Sequence, residues 1–73
     1  MRTKITSEIA GQVWKVMAKQ GDMVAVDDVI VILESMKMEI PILASKAGTL
    51  REMMVAEEDM VAEDQHIATI ESA

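Results

Sequence analysis

The feature that most constrains the fold of this chain is an internal repeat. Sliding the sequence on itself by 37 positions aligns residues 10–35 with residues 47–72 without a gap, and 11 of the 26 aligned residues are identical. The longest identical run is Asp22-Met23-Val24-Ala25 on Asp59-Met60-Val61-Ala62. Solenoid folds need about three or more repeats to bury a core. Two repeats in 73 residues therefore predict one domain, residues 1–73, with approximate two-fold symmetry.

Short apolar runs separated by turn-forming residues indicate strands. Residues 29–33, Val-Ile-Val-Ile-Leu, are typical of a buried strand, and Pro41 argues against a helix in the next segment. Residues 51–58 by themselves favour a helix. The aligned segment of the first half, however, runs into a turn at Gly21, so the repeat favours strand, turn, strand in both halves. Glu58 stands where the first half has Gly21, and a positive φ there would strain the backbone.

These patterns predict an all-β fold, a flattened barrel or sandwich of two four-stranded antiparallel sheets with quasi-two-fold symmetry. Corresponding elements of the two halves should pack face to face, which leaves the connection between them at one end. Lys37 then stands on a β-hairpin turn. The eight predicted strands lie near residues 4–7, 11–18, 23–25, 29–34, 38–44, 48–55, 60–62 and 67–71.

Composition excludes several classes of function. The net charge is −6 and Trp14 is the single aromatic residue, so the basic patches and stacking platforms of nucleic-acid binders are missing. The chain has no cysteine for disulfides or thiolate metal sites. Its apolar runs are too short to span a bilayer. We expect a cytoplasmic, monomeric domain in which Trp14 packs across the barrel and most of the eight methionines fill the core.

Lys37 lies at the middle of the chain between Met36 and Met38, in the segment Glu34-Ser35-Met36-Lys37-Met38-Glu39. If this segment is exposed, the methionines lose burial, and if it is buried, the ammonium group loses its hydration. A tight turn that offers all three side chains to a partner protein resolves the conflict. The turn also lacks the glycine or asparagine that two-residue hairpin loops prefer, and a broken local rule is typical of functional positions.

The chain resembles the biotinyl/lipoyl attachment domain family over about residues 6–71. The resemblance rests on the repeat, on Gly11, Gly21, Gly48 and Pro41, and on the segment from Glu34 to Glu39. It implies that Lys37 is joined through an amide bond to the valerate of biotin, or to lipoate in the lipoyl branch. Lipoyl domains typically place Asp-Lys-Ala at the turn, so the Met-Lys-Met of this chain favours biotin.

The resemblance further implies a carrier protein or subunit of a biotin-dependent carboxylase, and not an enzyme. A biotin protein ligase would load Lys37, a biotin carboxylase would add carboxylate to the biotin, and a carboxyltransferase would pass it to an acceptor such as an acyl-CoA. Two alternatives stay open at this point. One is a lipoyl or dual carrier, since Ser35 occurs in small carriers that accept either group. The other is an unmodified β module used for protein contacts.

The residues around Lys37 have competing interpretations. Met36 and Met38 are candidate recognition flanks for the ligase and carboxylase, or they pack at the end of the barrel. Glu34 and Glu39 are candidate specificity residues that repel the wrong ligase, or they are solvated hairpin residues. No pairing of nucleophile and base accompanies them, and no metal site is predicted.

Overall fold

The computed structural model describes residues 1–72, which form eight strands joined by turns. Ala73, the last residue of the predicted domain, lies outside the described residues. None of the described chain forms a helix that could cross a membrane. The strands are β1 (Arg2–Thr6), β2 (Gly11–Val16), β3 (Met23–Val24), β4 (Val29–Ser35), β5 (Met38–Leu43), β6 (Gly48–Met53), β7 (Met60–Val61) and β8 (His66–Glu71).

The strands form two four-stranded antiparallel sheets, as predicted. One has the order β5-β4-β2-β7 and is called the hairpin sheet, and the other has the order β1-β8-β6-β3 and is called the terminal sheet. Each sheet takes strands from both halves of the chain. The short strand β3 leaves the first half to pair with β6, and β7 leaves the second half to pair with β2. This exchange of edge strands ties the two halves together.

Irregularities in the sheets also fall 37 residues apart. The register between β2 and β4 shifts at Trp14, and the register between β6 and β8 shifts at Arg51. A second pair of shifts falls at Ile30 and Ile67. A bulge adds one residue to a strand and re-aims the side chains beside it. The two sheets therefore bend at equivalent places although the residues at the first pair differ completely.

The turns at Gly21 and Glu58 share one backbone conformation. Their φ angles are 97° and 75°, both in the left-handed region. The Gly21 amide donates to the Leu50 carbonyl at 2.8 Å, and the Glu58 amide donates to the Val13 carbonyl at 2.8 Å. The sequence prediction of strain at Glu58 is confirmed, because a side chain beyond glycine is disfavoured in this region.

The core lies between the sheets and consists mainly of branched aliphatic side chains. Its fully buried members are Val13, Ile30, Val31, Leu33, Ala44, Leu50, Ile67, Ala68 and Ile70. Strand alternation explains which residues enter it, since successive side chains point to opposite faces. In the two short edge strands, for example, Val24 and Val61 point inward.

The prediction that methionines fill the core is wrong. Seven of the eight methionines are exposed, and Met53 alone is partly buried against the core. The reason is their position in the strands and turns. Met23 and Met60 precede the inward-facing valines of β3 and β7 and therefore point outward. The exposed methionines are Met1, Met17, Met23, Met36, Met38, Met54 and Met60.

The expectation that Trp14 packs across the barrel is also wrong. Trp14 sits at the bulge of β2 and is 44% exposed. Because the preceding Val13 points into the core, strand alternation directs the indole outward, and the bulge leaves Lys15 exposed beside it. The Lys15 ammonium lies 5.3 Å from the centre of the indole ring, within the range of a cation–π contact.

Candidate functional site

Lys37 lies at the tip of the hairpin formed by β4 and β5. Ser35 and Met38 are the last paired residues, which leaves Met36 and Lys37 as a two-residue loop. Their φ angles are 53° and 65°. A loop with two positive φ angles matches the strand twist of a hairpin but normally contains Asn-Gly. Each left-handed residue with a side chain costs about 1–2 kcal/mol, so the predicted hairpin turn is present and is strained.

The tip presents its side chains to solvent. Met36 is 90% exposed and Met38 is 63% exposed, so neither packs at the end of the sandwich. Lys37 is exposed as well and forms no ion pair with any residue in the described range 1–72. The turn therefore offers a free primary amine between two apolar side chains.

The base of the hairpin is closely packed, in contrast to its tip. Leu33 of β4 is fully buried. At the start of β2, a β-carbon built on Gly11 would lie 2.9 Å from the Glu34 carbonyl oxygen and 3.4 Å from the Ser35 β-carbon. Only glycine allows this approach without displacing the hairpin strand. Gly11 is thus a supporting residue of the site, and its match to Gly48 in the repeat was the signal for it.

Glu34 and Glu39 are direct cross-strand neighbours one pair below Ser35 and Met38. Both are exposed. Like charges directly opposite each other destabilise a sheet, so this pair adds negative charge beside the tip at some cost to the hairpin. Their role as specificity residues stays a prediction.

Two titratable groups outside the hairpin, His66 and Glu71, have structural contacts of their own. The His66 Nε2 atom lies 2.8 Å from the hydroxyl of the buried Thr69. On the terminal sheet, a hydrogen bond from Arg2 and the nearby Arg51 charge lower the pKa of Glu71 below its ordinary value of 4.5. Across residues 1–72, no three His, Cys, Asp or Glu side chains are grouped to hold a metal ion. The site can accept a group on its amine, and among residues 1–72 no carboxylate is ion-paired with that amine.

Comparison with known proteins gives matches over most of the chain. The biotin/lipoyl family model, described as "Biotin-requiring enzyme", matches residues 1–70. The Biotin/lipoyl attachment protein of Bacillus subtilis (strain 168) is 45% identical over 49 residues, which cover 67% of each chain. The Biotinylated protein TB7.3 homolog of Mycobacterium leprae is 43% identical over 56 residues, which cover 77% of this chain and 79% of that protein.

Two solved structures contain a domain similar to this fold. The urea carboxylase of Kluyveromyces lactis superposes with a TM-score of 0.90 and 33% identity, covering 96% of this chain. A single-chain, multi-domain long-chain acyl-CoA carboxylase superposes with a TM-score of 0.87 and 24% identity over 93% of this chain, which shows likeness of fold alone. The chain spans 6% and 7% of the lengths of these two proteins.

Proposed function

This chain belongs to the biotin/lipoyl attachment family, and on that premise we propose that it is a biotin carboxyl carrier with biotin attached at Lys37. The observation that carries the proposal is the exposed Lys37 amine at the apex of a strained two-residue turn. The names of similar proteins support the choice of biotin, since one is called a biotinylated protein and another is a urea carboxylase. The chain itself is a carrier and not a catalyst.

The residues of the turn fit a covalently attached biotin. The Lys37 amine has no ion pair to break among residues 1–72, and Met36 and Met38 place apolar surface on either side of it. When bound, biotin supplies a ureido nitrogen that carries a carboxylate group. The lysine side chain supplies reach, and the paired strands below it supply a fixed base.

Attachment of biotin to Lys37 changes the charge of the hairpin tip. A free lysine amine is protonated at neutral pH. An ammonium nitrogen has no lone pair, so a proton must leave Nζ before Nζ can attack the biotin carboxyl group. ATP activates that carboxyl group, and the phosphate-containing activating group leaves as the amide bond forms. We expect the ATP-using biotin protein ligase to accept that proton, because Lys37 is not paired with a carboxylate in the described chain. The resulting amide is uncharged. The modified tip therefore enters an active site without the cost of burying an ammonium ion.

The proposed partners are the ligase, a biotin carboxylase and a carboxyltransferase. A carrier that serves two active sites needs a mobile group on a rigid base, and the close approach of Gly11 to the hairpin provides that base. Tethering raises the effective concentration of a group to around millimolar for a short flexible link. We therefore expect free biotin to be a poor substitute for the loaded carrier.

A lipoyl or dual carrier is the second candidate. The observation that favours it is the name of the Bacillus subtilis relative, which refers to both biotin and lipoyl attachment. Lipoate would occupy the same amine, so the two candidates differ in the ligase that recognises the turn.

Loading of the purified chain tests the proposal. The chain is incubated with ATP, biotin and a biotin protein ligase, and in parallel with lipoate and a lipoate ligase, and the intact mass is measured. We expect one biotin per chain on the wild type and none on Lys37→Arg, which keeps the positive charge but removes the acylatable amine. A lipoyl increment alone would replace biotin with the second candidate. No increment in either arm, or an equal increment on Lys37→Arg, would contradict the attachment role.

A further inference from the structure

The exposed methionines have a chemical reactivity that the carrier role does not use. Core packing would account for buried methionines, but Met36 is 90% exposed, Met23 80%, Met60 71% and Met38 63%. Two of these four flank Lys37 and the other two lie in the short edge strands. Exposure of this degree places each sulfur atom within reach of small solutes.

Thioethers are the sulfur groups of this chain, because it contains eight methionines and no cysteine. Hydrogen peroxide oxidises a thioether by transferring one oxygen atom to sulfur. The O–O bond breaks, an S–O bond forms and water leaves, so sulfur loses two electrons and the peroxide is reduced. The product, methionine sulfoxide, is polar, and methionine sulfoxide reductases reverse the reaction.

We propose that Met36 and Met38 are oxidation sites at which peroxide switches off loading of Lys37. The inference rests on the proposed function, in which a ligase accepts Lys37 together with its two apolar flanks. A sulfoxide at either flank would bring a polar oxygen into the surface that the ligase must desolvate. Burying a polar group without a hydrogen-bond partner is unfavourable, so the oxidised turn binds the ligase less well.

The fold itself tolerates this oxidation. Neither Met36 nor Met38 belongs to the core, which is built from aliphatic side chains and partly from Met53. Sulfoxide formation at the tip therefore removes no buried contact. The switch acts on recognition of the turn and leaves the sandwich intact.

The chain provides a matched control in Met23. This residue is as exposed as the flanking methionines but lies in β3 of the terminal sheet, where its sulfur accepts a hydrogen bond from the Thr49 hydroxyl at 3.5 Å. Met23→Leu removes one exposed thioether and leaves the Lys37 turn unchanged. The double variant Met36→Leu with Met38→Leu removes both flanking thioethers and keeps the flanks apolar.

The experiment treats each protein with hydrogen peroxide, removes the peroxide, and then measures the rate of biotin loading by intact mass. Each variant is compared with its own untreated sample. We expect oxidation to slow loading of the wild type and of Met23→Leu about tenfold, as one polar group buried without a hydrogen-bond partner would do. The double leucine variant should keep its untreated rate within about twofold, and a methionine sulfoxide reductase should restore the wild type.

Peptide mapping of the same samples tests the oxidation sites separately from loading. We expect Met36 and Met38 to gain oxygen faster than the partly buried Met53, and a rate no faster than that of Met53 would overturn the assignment. Equal loading of oxidised and untreated wild type would overturn the switch, as would an equal loss in the double leucine variant. Failure of the untreated chain to load would instead overturn the proposed function, and with it the effect on loading.

Discussion

The two halves of the chain, residues 10–35 and 47–72, share backbone features at equivalent positions although the side chains there differ. Gly21 and Glu58 adopt the same left-handed turn, and the bulges of β2 and β6 fall at Trp14 and Arg51. The comparison separates what the fold requires from what it tolerates. A left-handed residue and a bulge are required at these places, whereas an indole and a guanidinium satisfy the bulge equally well.

The outer faces of the two sheets differ because of these substitutions. On the terminal sheet, Glu71 pairs with Arg2 at 3.2 Å and lies 3.6 Å from Arg51. On the hairpin sheet, the bulge carries the exposed Trp14, and Glu34 occupies the position that matches Glu71. The two aligned glutamates therefore have different surroundings. Glu71 of the second half is paired with arginines, whereas Glu34 of the first half lies beside the Lys37 turn.

The largest expected effect is a loss of stability on substitution of Gly48, compared with a smaller loss on substitution of Gly11. A β-carbon on Gly48 would overlap the Glu71 carbonyl oxygen and lie 2.9 Å from the Ile70 side chain, whereas on Gly11 the nearest atom would be the Glu34 carbonyl oxygen at 2.9 Å. Overpacking of this kind costs about 1–3 kcal/mol. We expect Gly48→Ala to lower the free energy of unfolding by about 3 kcal/mol and Gly11→Ala by about 1 kcal/mol. Urea denaturation measures both, and equal losses would contradict the difference in packing.

The next effect concerns the two left-handed turns. Gly21→Ala places a β-carbon at a φ of 97° with no atom of a non-adjacent residue within 4 Å of it, so backbone strain alone should destabilise the fold by about 1 kcal/mol. Glu58→Gly relieves the same strain at a φ of 75°, but it raises the conformational entropy of the unfolded chain, which lowers stability. We expect a net gain of about 0.5 kcal/mol. Thermal melting of the two variants checks the signs, which should be opposite.

The smallest expected effect is a pH dependence on the terminal sheet. Because Arg2 and Arg51 lower the pKa of Glu71 in the folded chain, its contribution to stability is present above pH 4.5 and is lost as the pH falls through the lower folded value. Glu71→Gln should therefore flatten the decline in the urea midpoint between about pH 5 and pH 2. Glu34→Gln is the matched control in the other half. An unchanged acid profile for Glu71→Gln would show that the arginine contacts contribute nothing.

Much of the fold could be predicted because an ambiguous segment in one half could be interpreted from the aligned segment in the other half. Residues 51–58 favour a helix when taken alone, yet the structure ends β6 at Met53 and follows it with the Glu58 turn, as the aligned first half predicted. All eight strands occur where they were expected, and no end is shifted by more than two residues. β1 starts earlier than predicted, at Arg2, because its pairing with the end of β8 is a tertiary contact.

The sequence by itself determined the repeat, the strand order along the chain and the place of Lys37 at a hairpin tip, because these follow from local patterns and spacing. Only the tertiary structure decided which side chains face outward and which sheet each edge strand joins. A single bulge reverses the inward and outward positions that follow it. Trp14 and seven methionines lie on the surface although their hydrophobicity predicted burial, because strand alternation, turns and bulges together set the direction of each side chain.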